Sequence, residues 1–222
     1  MIPLRDDNPT RTFPWVTVSI IGVNLGAFAY EMLLDSQGGL PEFIHANGVI
    51  PYQLVGNFSD PDMLLTLMTS MFLHGGFVHL IGNMLYLWIF GNNVEDAVGS
   101  LRFMIFYLVS GLVANMTQVA IAPHSFSVII GASGAIAGIL GGYLLLFPHA
   151  KVDTLVTLGY FIRIIKLPAV LVLSFWILIQ FSSGLASLGT GLTDIAWFAH
   201  IGGFVAGVLL VYPIRGRRKR WA

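Results

Sequence analysis

A hydroxyl and an imidazole stand inside apolar, glycine-rich stretches of this chain. Ser133 lies in Gly131-Ala132-Ser133-Gly134-Ala135-Ile136-Ala137-Gly138, and His200 in Ala199-His200-Ile201-Gly202-Gly203. Polar groups are costly in such surroundings, and those that persist usually mark a working site. One chemistry suits the pair above others: a serine nucleophile activated by a histidine base. His79 and Asn83, at i and i+4 and so on one helical face, add two further polar groups. Each residue alone has a plainer use. A lone serine in a membrane helix usually bonds a carbonyl one turn back. A lone His200, or His79 with Asn83, could serve as a simple interhelical hydrogen bond.

Competing catalytic patterns are missing. There is no His-Glu-x-x-His, so a zinc metalloprotease would have neither ligands nor base. His74 and His79 are five apart, a poor spacing for two metal ligands on one helical face. The apolar stretches contain no Asp, which excludes an intramembrane aspartate pair. Gly131-x-Ser133 continues as Gly134-Ala135, so the hydrolase nucleophile elbow is absent too. A Ser–His–Asp triad would have to use Asp194, which precedes His200 and falls outside its apolar stretch. A dyad would still need donors for the oxyanion, each typically worth about 2.7–4 kcal/mol of barrier. The backbone N–H of Ser133, the amide of Asn83 and the ring N–H of His79 suit that role.

The elements that must position these groups are membrane helices. The chain has 222 residues, 56% of them hydrophobic and 10% charged, with a mean hydropathy of +0.80. Soluble domains carry about 25% charged residues, so the bilayer is the expected solvent. The fold class expected is an all-α membrane protein, one domain over residues 1–222. Six stretches are long enough to span: approximately 15–34, 77–90, 103–122, 128–147, 168–187 and 197–212. The second follows an interruption at His74-Gly75-Gly76. The first exceeds the roughly 7–15 apolar residues of a signal peptide and has no small-x-small cleavage site, so it should remain as a helix. The absence of cysteine excludes disulfides and thiolate metal sites.

Charge orients the bundle. Six spans leave segments 1–14, 91–102, 148–167 and 213–222 on one side, and these hold all 11 Lys and Arg residues. The other side carries Asp35, Glu42, Asp60, Asp62 and Asp194 without a basic residue. The positive-inside rule therefore puts both termini in the cytoplasm. Spans two, four and six then run inward, and at about 1.5 Å per residue Ser133 and His200 lie roughly 5–8 Å below the outer boundary, level with His79 and Asn83. Gly131, Gly134, Gly138, Gly141 and Gly142 in the fourth span, and Ala199, Gly203 and Gly207 in the sixth, allow backbone-to-backbone packing. The apolar loop 35–62 is expected in the outer interface, and the amphipathic stretch 152–166 on the cytoplasmic face. The basic tail 215–220 reads as an anchor on anionic lipid rather than a nucleic-acid site.

Three separated motifs resemble those of the rhomboid intramembrane serine proteases. His74-Gly75-Gly76-Phe77-Val78-His79-Leu80-Ile81-Gly82-Asn83-Met84 is similar to the family's His-x-x-x-Asn helix, Gly131-Ala132-Ser133-Gly134 to its Gly-x-Ser-Gly motif, and Ala199-His200-Ile201-Gly202-Gly203 to its histidine with trailing glycines. The resemblance covers nearly the whole chain. It implies a six-transmembrane-helix core, Ser133 as nucleophile and His200 as base. It implies an oxyanion hole from His79, Asn83 and the Ser133 N–H, with Gly131 shaping the backbone and His74 and Glu95 in supporting positions. It further implies no metal or cofactor, and single-pass transmembrane proteins as substrates, cut near the outer membrane boundary. The setting would be the inner cell membrane and its lipid, with no nucleic acid partner, for a monomer or weak oligomer. The fifth span and loop 188–196 would form the lateral gate. The alternative is a catalytically silent rhomboid-like protein that binds membrane helices. Many family members place an aromatic residue four positions after the serine; Ala137 stands here, so Trp197 or Tyr143 is expected to hold the histidine instead.

Overall fold

The computed structural model describes residues 1–158, 161–190 and 195–215. Ten helices run in order among them: α1 (Trp15–Ser36), α2 (Leu40–Asn47), α3 (Pro51–Gly56), α4 (Pro61–Thr69), α5 (Phe77–Tyr86), α6 (Asn92–Val98), α7 (Ser100–Ile121), α8 (Ser133–Leu146), α9 (Ala169–Thr190) and α10 (Trp197–Ile214). Three strands accompany them: β1 (Ile2–Asp6), β2 (Lys151–Leu158) and β3 (Phe161–Pro168).

The helices α1, α7, α9 and α10 are each long and apolar enough to cross a membrane, and a bent pair supplies a fifth candidate. That pair joins Pro61–Phe72 to Phe77–Val98 at 80°. The bend occupies the expected interruption, where Gly76 adopts φ +141. Beyond it, α5 passes through a π-type turn at Leu87–Gly91 into α6, so this span reaches Val98 rather than residue 90. The expected fourth span is shorter than the sequence suggests. Residues before Ser133 are extended, with Ile129 bridged to Val49, and α8 itself has 14 residues. The protein is thus a mostly helical, multi-pass membrane chain.

One segment departs from expectation, and another carries helices on which the sequence was silent. The stretch expected as an amphipathic surface element is a β-hairpin, β2 paired antiparallel with β3, and β1 closes the other edge of β2. The reason lies in the residues: both strands are rich in β-branched side chains, with Thr154 opposite Ile165, Thr157 opposite Ile162 and Val152 opposite Leu167 across the hairpin, and such side chains favour a pleated, half-buried surface. Val152 and Thr154 are fully buried. The loop 35–62 is not irregular but folds into α2, α3 and the start of α4, each with proline in its first turn, where the missing N–H costs nothing.

The core is built round α8, in which every residue from Gly134 to Tyr143 is buried. Its glycines admit α10 and α7 to backbone distance. A β-carbon at Gly203 would overlap the carbonyl of Gly134, one at Gly207 that of Gly138, and one at Gly138 the side chain of Ser110. At the opposite end of the bundle from the candidate site, two carboxylates tie the N-terminal segment down. Glu95 accepts from the N–H of Val16 (3.0 Å), the N–H and hydroxyl of Thr17 (both 2.8 Å) and the hydroxyl of Ser100 (2.6 Å). It thereby satisfies donors at the start of α1 that no helical carbonyl can reach. Asp6 of β1 accepts from the Tyr143 hydroxyl (2.6 Å) and the Asn93 amide (2.8 Å).

Two outcomes follow from these contacts. Gly207→Val should destabilise the protein by about 1–3 kcal/mol through overpacking, whereas Gly26→Ala, where an added β-carbon meets nothing within 4 Å, should leave the melting temperature in detergent nearly unchanged. Asp6 is held up at about 6 because burial raises it more than the Tyr143 hydrogen bond lowers it. A folded value above the unfolded one means that the folded state binds the extra proton, so stability should fall as pH rises from about 4 to about 6. Thermal melts across that window should show the decline in the wild type and its loss in Asp6→Asn.

Candidate active site

Ser133 is the first residue of α8, and the extended segment before it is pinned on both sides. Val49 and Ile129 exchange backbone hydrogen bonds of 3.1 and 2.8 Å, and the Gly131 N–H donates to the Ser70 carbonyl at 2.8 Å. The Asn115 amide holds that turn in place by donating to the Leu67 carbonyl (2.9 Å) and the Ser70 hydroxyl (3.1 Å). Gly131 has φ +121, a conformation that excludes side chains, and a β-carbon there would lie 2.7 Å from Cε1 and Nε2 of His79. Glycine is required at this position on both counts. Because α8 begins at Ser133, the N–H groups of Ser133, Gly134 and Ala135 have no acceptor one turn back and lie at the positive end of the helix dipole.

His200 sits in the first turn of α10. The N–H groups of Phe198 and Ala199 both donate to Oε1 of Gln118, at 3.1 and 3.2 Å, so a side chain of α7 caps this helix. The glycine contact between α8 and α10 then brings the two candidate residues together: His200 Nε2 and Ser133 Oγ are 2.7 Å apart. On its other edge, His200 Nδ1 lies 2.7 Å from Oε1 of Gln180 on α9. The ring is flanked by Trp176 at 5.9 Å and 39°, and by Trp197 edge-on at 6.3 Å and 90°. Of the two expected substitutes for the missing aromatic, Trp197 is therefore beside the ring. Tyr143 is not, since its hydroxyl is engaged by Asp6 at the far end of α8.

His79 and Asn83 face the same cavity from α5. The N–H of Gly75 donates to Nδ1 of His79 at 3.3 Å, which makes Nδ1 the unprotonated nitrogen and leaves the hydrogen on Nε2, on the ring edge that lies beside Gly131. Asn83 is buried, and its Nδ2 has no hydrogen-bond partner among the described residues. Both side chains thus line the cavity that Ser133 also lines. The cavity has a volume of about 770 Å³ and is lined by His79, Asn83, Ser133, Gln180 and His200 together with Trp176. This arrangement can transfer a proton from the hydroxyl to the imidazole and offers N–H groups to a developing oxyanion.

His74 takes a different position. Its ring packs edge-on against His79 at 5.2 Å, and its backbone N–H donates to both oxygens of Glu31 on α1 at 3.2 Å. It lines an adjoining cavity of about 350 Å³ together with Glu31. Asp194 lies outside the described residues, as do the basic positions after Arg215 and part of loop 188–196.

Four residues around the site escape a reading of the sequence motifs: Gln180, Trp176, Gln118 and Glu31. Gln180 carries the same signal that marks Ser133 and His200, a polar group within an apolar stretch, and a uniform application of that rule would have found it. Trp176 precedes it by one helical turn. Gln118 and Glu31 act through backbone N–H groups of distant helices, which no local pattern encodes.

Residues 61–217 match the Rhomboid domain, a range that contains Ser133, His200, His79 and Asn83. RHOMBOID-like protein 1 of Arabidopsis thaliana is 30% identical over 91% of this chain and 54% of its own length. Rhomboid protein 1, mitochondrial, of Saccharomyces cerevisiae is 31% identical over 65% of this chain and 40% of its own. Rhomboid protease GluP of Bacillus subtilis is 33% identical over 64% of this chain and 24% of its own. The chain spans about half the length of the curated relatives it matches. With the domain match covering most of its length, the chain belongs to the rhomboid family.

Proposed function

We propose that this chain is an intramembrane serine endopeptidase that cleaves single-pass transmembrane proteins near the outer membrane boundary. The observation that carries this reading is the 2.7 Å approach of His200 Nε2 to Ser133 Oγ inside a cavity that also presents His79 and Asn83. Ser133 Oγ attacks the scissile carbonyl carbon while its proton passes to Nε2. The carbonyl oxygen becomes an oxyanion held by the Ser133 N–H, the Asn83 amide and His79 Nε2–H. Collapse of that intermediate breaks the C–N bond, and Nε2 returns the proton to the leaving amine. Water then repeats the attack on the acyl-enzyme, with His200 again taking the proton and Ser133 regaining it.

The membrane setting belongs to the same proposal. At about 1.5 Å per residue α8 is roughly 21 Å long, short of a core about 30 Å thick, and the extended residues before it supply the remaining depth. Counting α8 and the bent pair as one span each makes six spans, with both termini on the cytoplasmic side of the inner membrane. Ser133, at the outer end of α8, is then close to external water. Transmembrane substrates reach it sideways past α9, and the basic residues on the cytoplasmic side contact anionic lipid. The working unit is a monomer or weak oligomer.

A fluorescent fluorophosphonate should label the purified wild type and fail to label Ser133→Ala and His200→Ala. A well-folded wild type that stays unlabelled would instead favour a silent helix-binding role. Among labelled variants, Asn83→Ala should lose roughly 10²–10³ in turnover of a transmembrane reporter, as expected for one oxyanion donor. Unchanged turnover in that variant would remove Asn83 from the oxyanion hole.

A further inference from the structure

Burial and hydrogen bonding at the base single out one more residue. Gln180 is buried on α9, and both ends of its amide are committed. Its Nε2 donates to the Trp176 carbonyl one turn back at 3.4 Å, and its Oε1 meets His200 Nδ1 at 2.7 Å. A backbone carbonyl can only accept, so the amide nitrogen must face Trp176 and the amide oxygen must face the imidazole. An amide oxygen can only accept in turn. The hydrogen of the neutral ring therefore resides on Nδ1, and the lone pair is left on Nε2, opposite Ser133 Oγ.

We infer that Gln180 is a positioning residue that holds His200 in the tautomer able to accept the Ser133 proton. The proposal rests on the protease reading for its kinetic part, though not for the tautomer itself. Which ring nitrogen of a histidine carries the proton is set by the hydrogen bond made by the other. Without Oε1 the ring would be free to place its hydrogen on Nε2, where it would face the serine oxygen donor to donor or turn Ser133 into an acceptor. Either arrangement disables the base. In Ser–His–Asp hydrolases a carboxylate does this work, and a wrong tautomer costs about 10⁴ in kcat. An uncharged amide supplies the same directional acceptor at a depth where an ionised carboxylate would be expensive. Trp176 completes the arrangement, since its carbonyl orients the amide while its ring flanks the imidazole. Both residues belong to α9, whereas His200 belongs to α10, so the state of the base depends on how closely α9 docks.

Nitrogen NMR of ¹⁵N-histidine-labelled protein in detergent, with His200 assigned by difference from His200→Ala, reads the tautomer directly. The wild type should show Nδ1 protonated and Nε2 unprotonated. Gln180→Leu should shift hydrogen to Nε2 and slow fluorophosphonate labelling of Ser133 by roughly 10–100-fold, the range found when a metal-ligating imidazole loses its orienting partner, with little change in the half-saturating probe concentration. Gln180→Glu, which keeps an acceptor oxygen, should restore the Nδ1–H tautomer and most of the rate. A wild type protonated on Nε2 would overturn the proposal even if Gln180→Leu failed to fold. So would a folded Gln180→Leu that keeps the Nδ1–H tautomer and the labelling rate. A wild type that shows the Nδ1–H tautomer but never labels at Ser133 would uphold the positioning role and overturn the protease reading.

Discussion

Everything at the candidate site depends on how closely α8 and α10 approach. The two helices touch backbone to backbone, with the carbonyls of Gly134 and Gly138 lying where β-carbons of Gly203 and Gly207 would be. In a bilayer no hydrophobic effect drives helices together, since lipid tails are as apolar as leucine, so packing of small residues has to supply the contact. The 2.7 Å distance between Ser133 and His200 follows from that geometry. Side chains as short as serine cannot bridge helices held apart at an ordinary spacing. The glycines are therefore part of the site, although none carries a functional group.

A second constraint acts on the chain before α8. Gly131 has to adopt a conformation closed to side chains and also leave room for the His79 ring. The paired bonds between Val49 and Ile129 and the bond from the Gly131 N–H to the Ser70 carbonyl hold this segment extended, so that the helix starts at Ser133. Starting the helix there places the Ser133 hydroxyl beside the first-turn N–H groups at the positive end of the dipole, an environment that favours negative charge. The bend before α5 performs the matching task on the other wall, where the Gly75 N–H sets the hydrogen of His79 on Nε2, on the ring edge beside Gly131. Both walls use a backbone N–H to choose how a polar group is presented.

The far end of the bundle has a different character. There the fold is secured by carboxylates, Glu95 at the start of α1 and Asp6 between β1 and Tyr143. Both are drawn in from solvent and held by donors, Glu95 buried among four of them and Asp6 raised by its burial, and they join segments distant along the chain. The small sheet belongs to the same region. Its β-branched residues satisfy each other's backbone groups before α9 begins at Ala169.

Much of this was legible in the sequence, because the signals are local and chemically extreme. Apolar length located most spans, and polar residues in apolar stretches pointed to Ser133, His200, His79 and Asn83, four residues that line one cavity. Small-residue spacing indicated which helices must meet. The extended residues before Ser133 and the hairpin at residues 151–168 were misjudged, since hydropathy records burial and not backbone conformation. Only the tertiary structure decided what holds His200. Trp176 and Gln180 come from a helix separate from that of the histidine, and Tyr143, equally plausible by composition, proves to point the other way. A pattern along the chain shows that a polar group needs a partner. Which partner it finds depends on the rotation and depth of neighbouring helices, which are fixed by packing over the whole bundle.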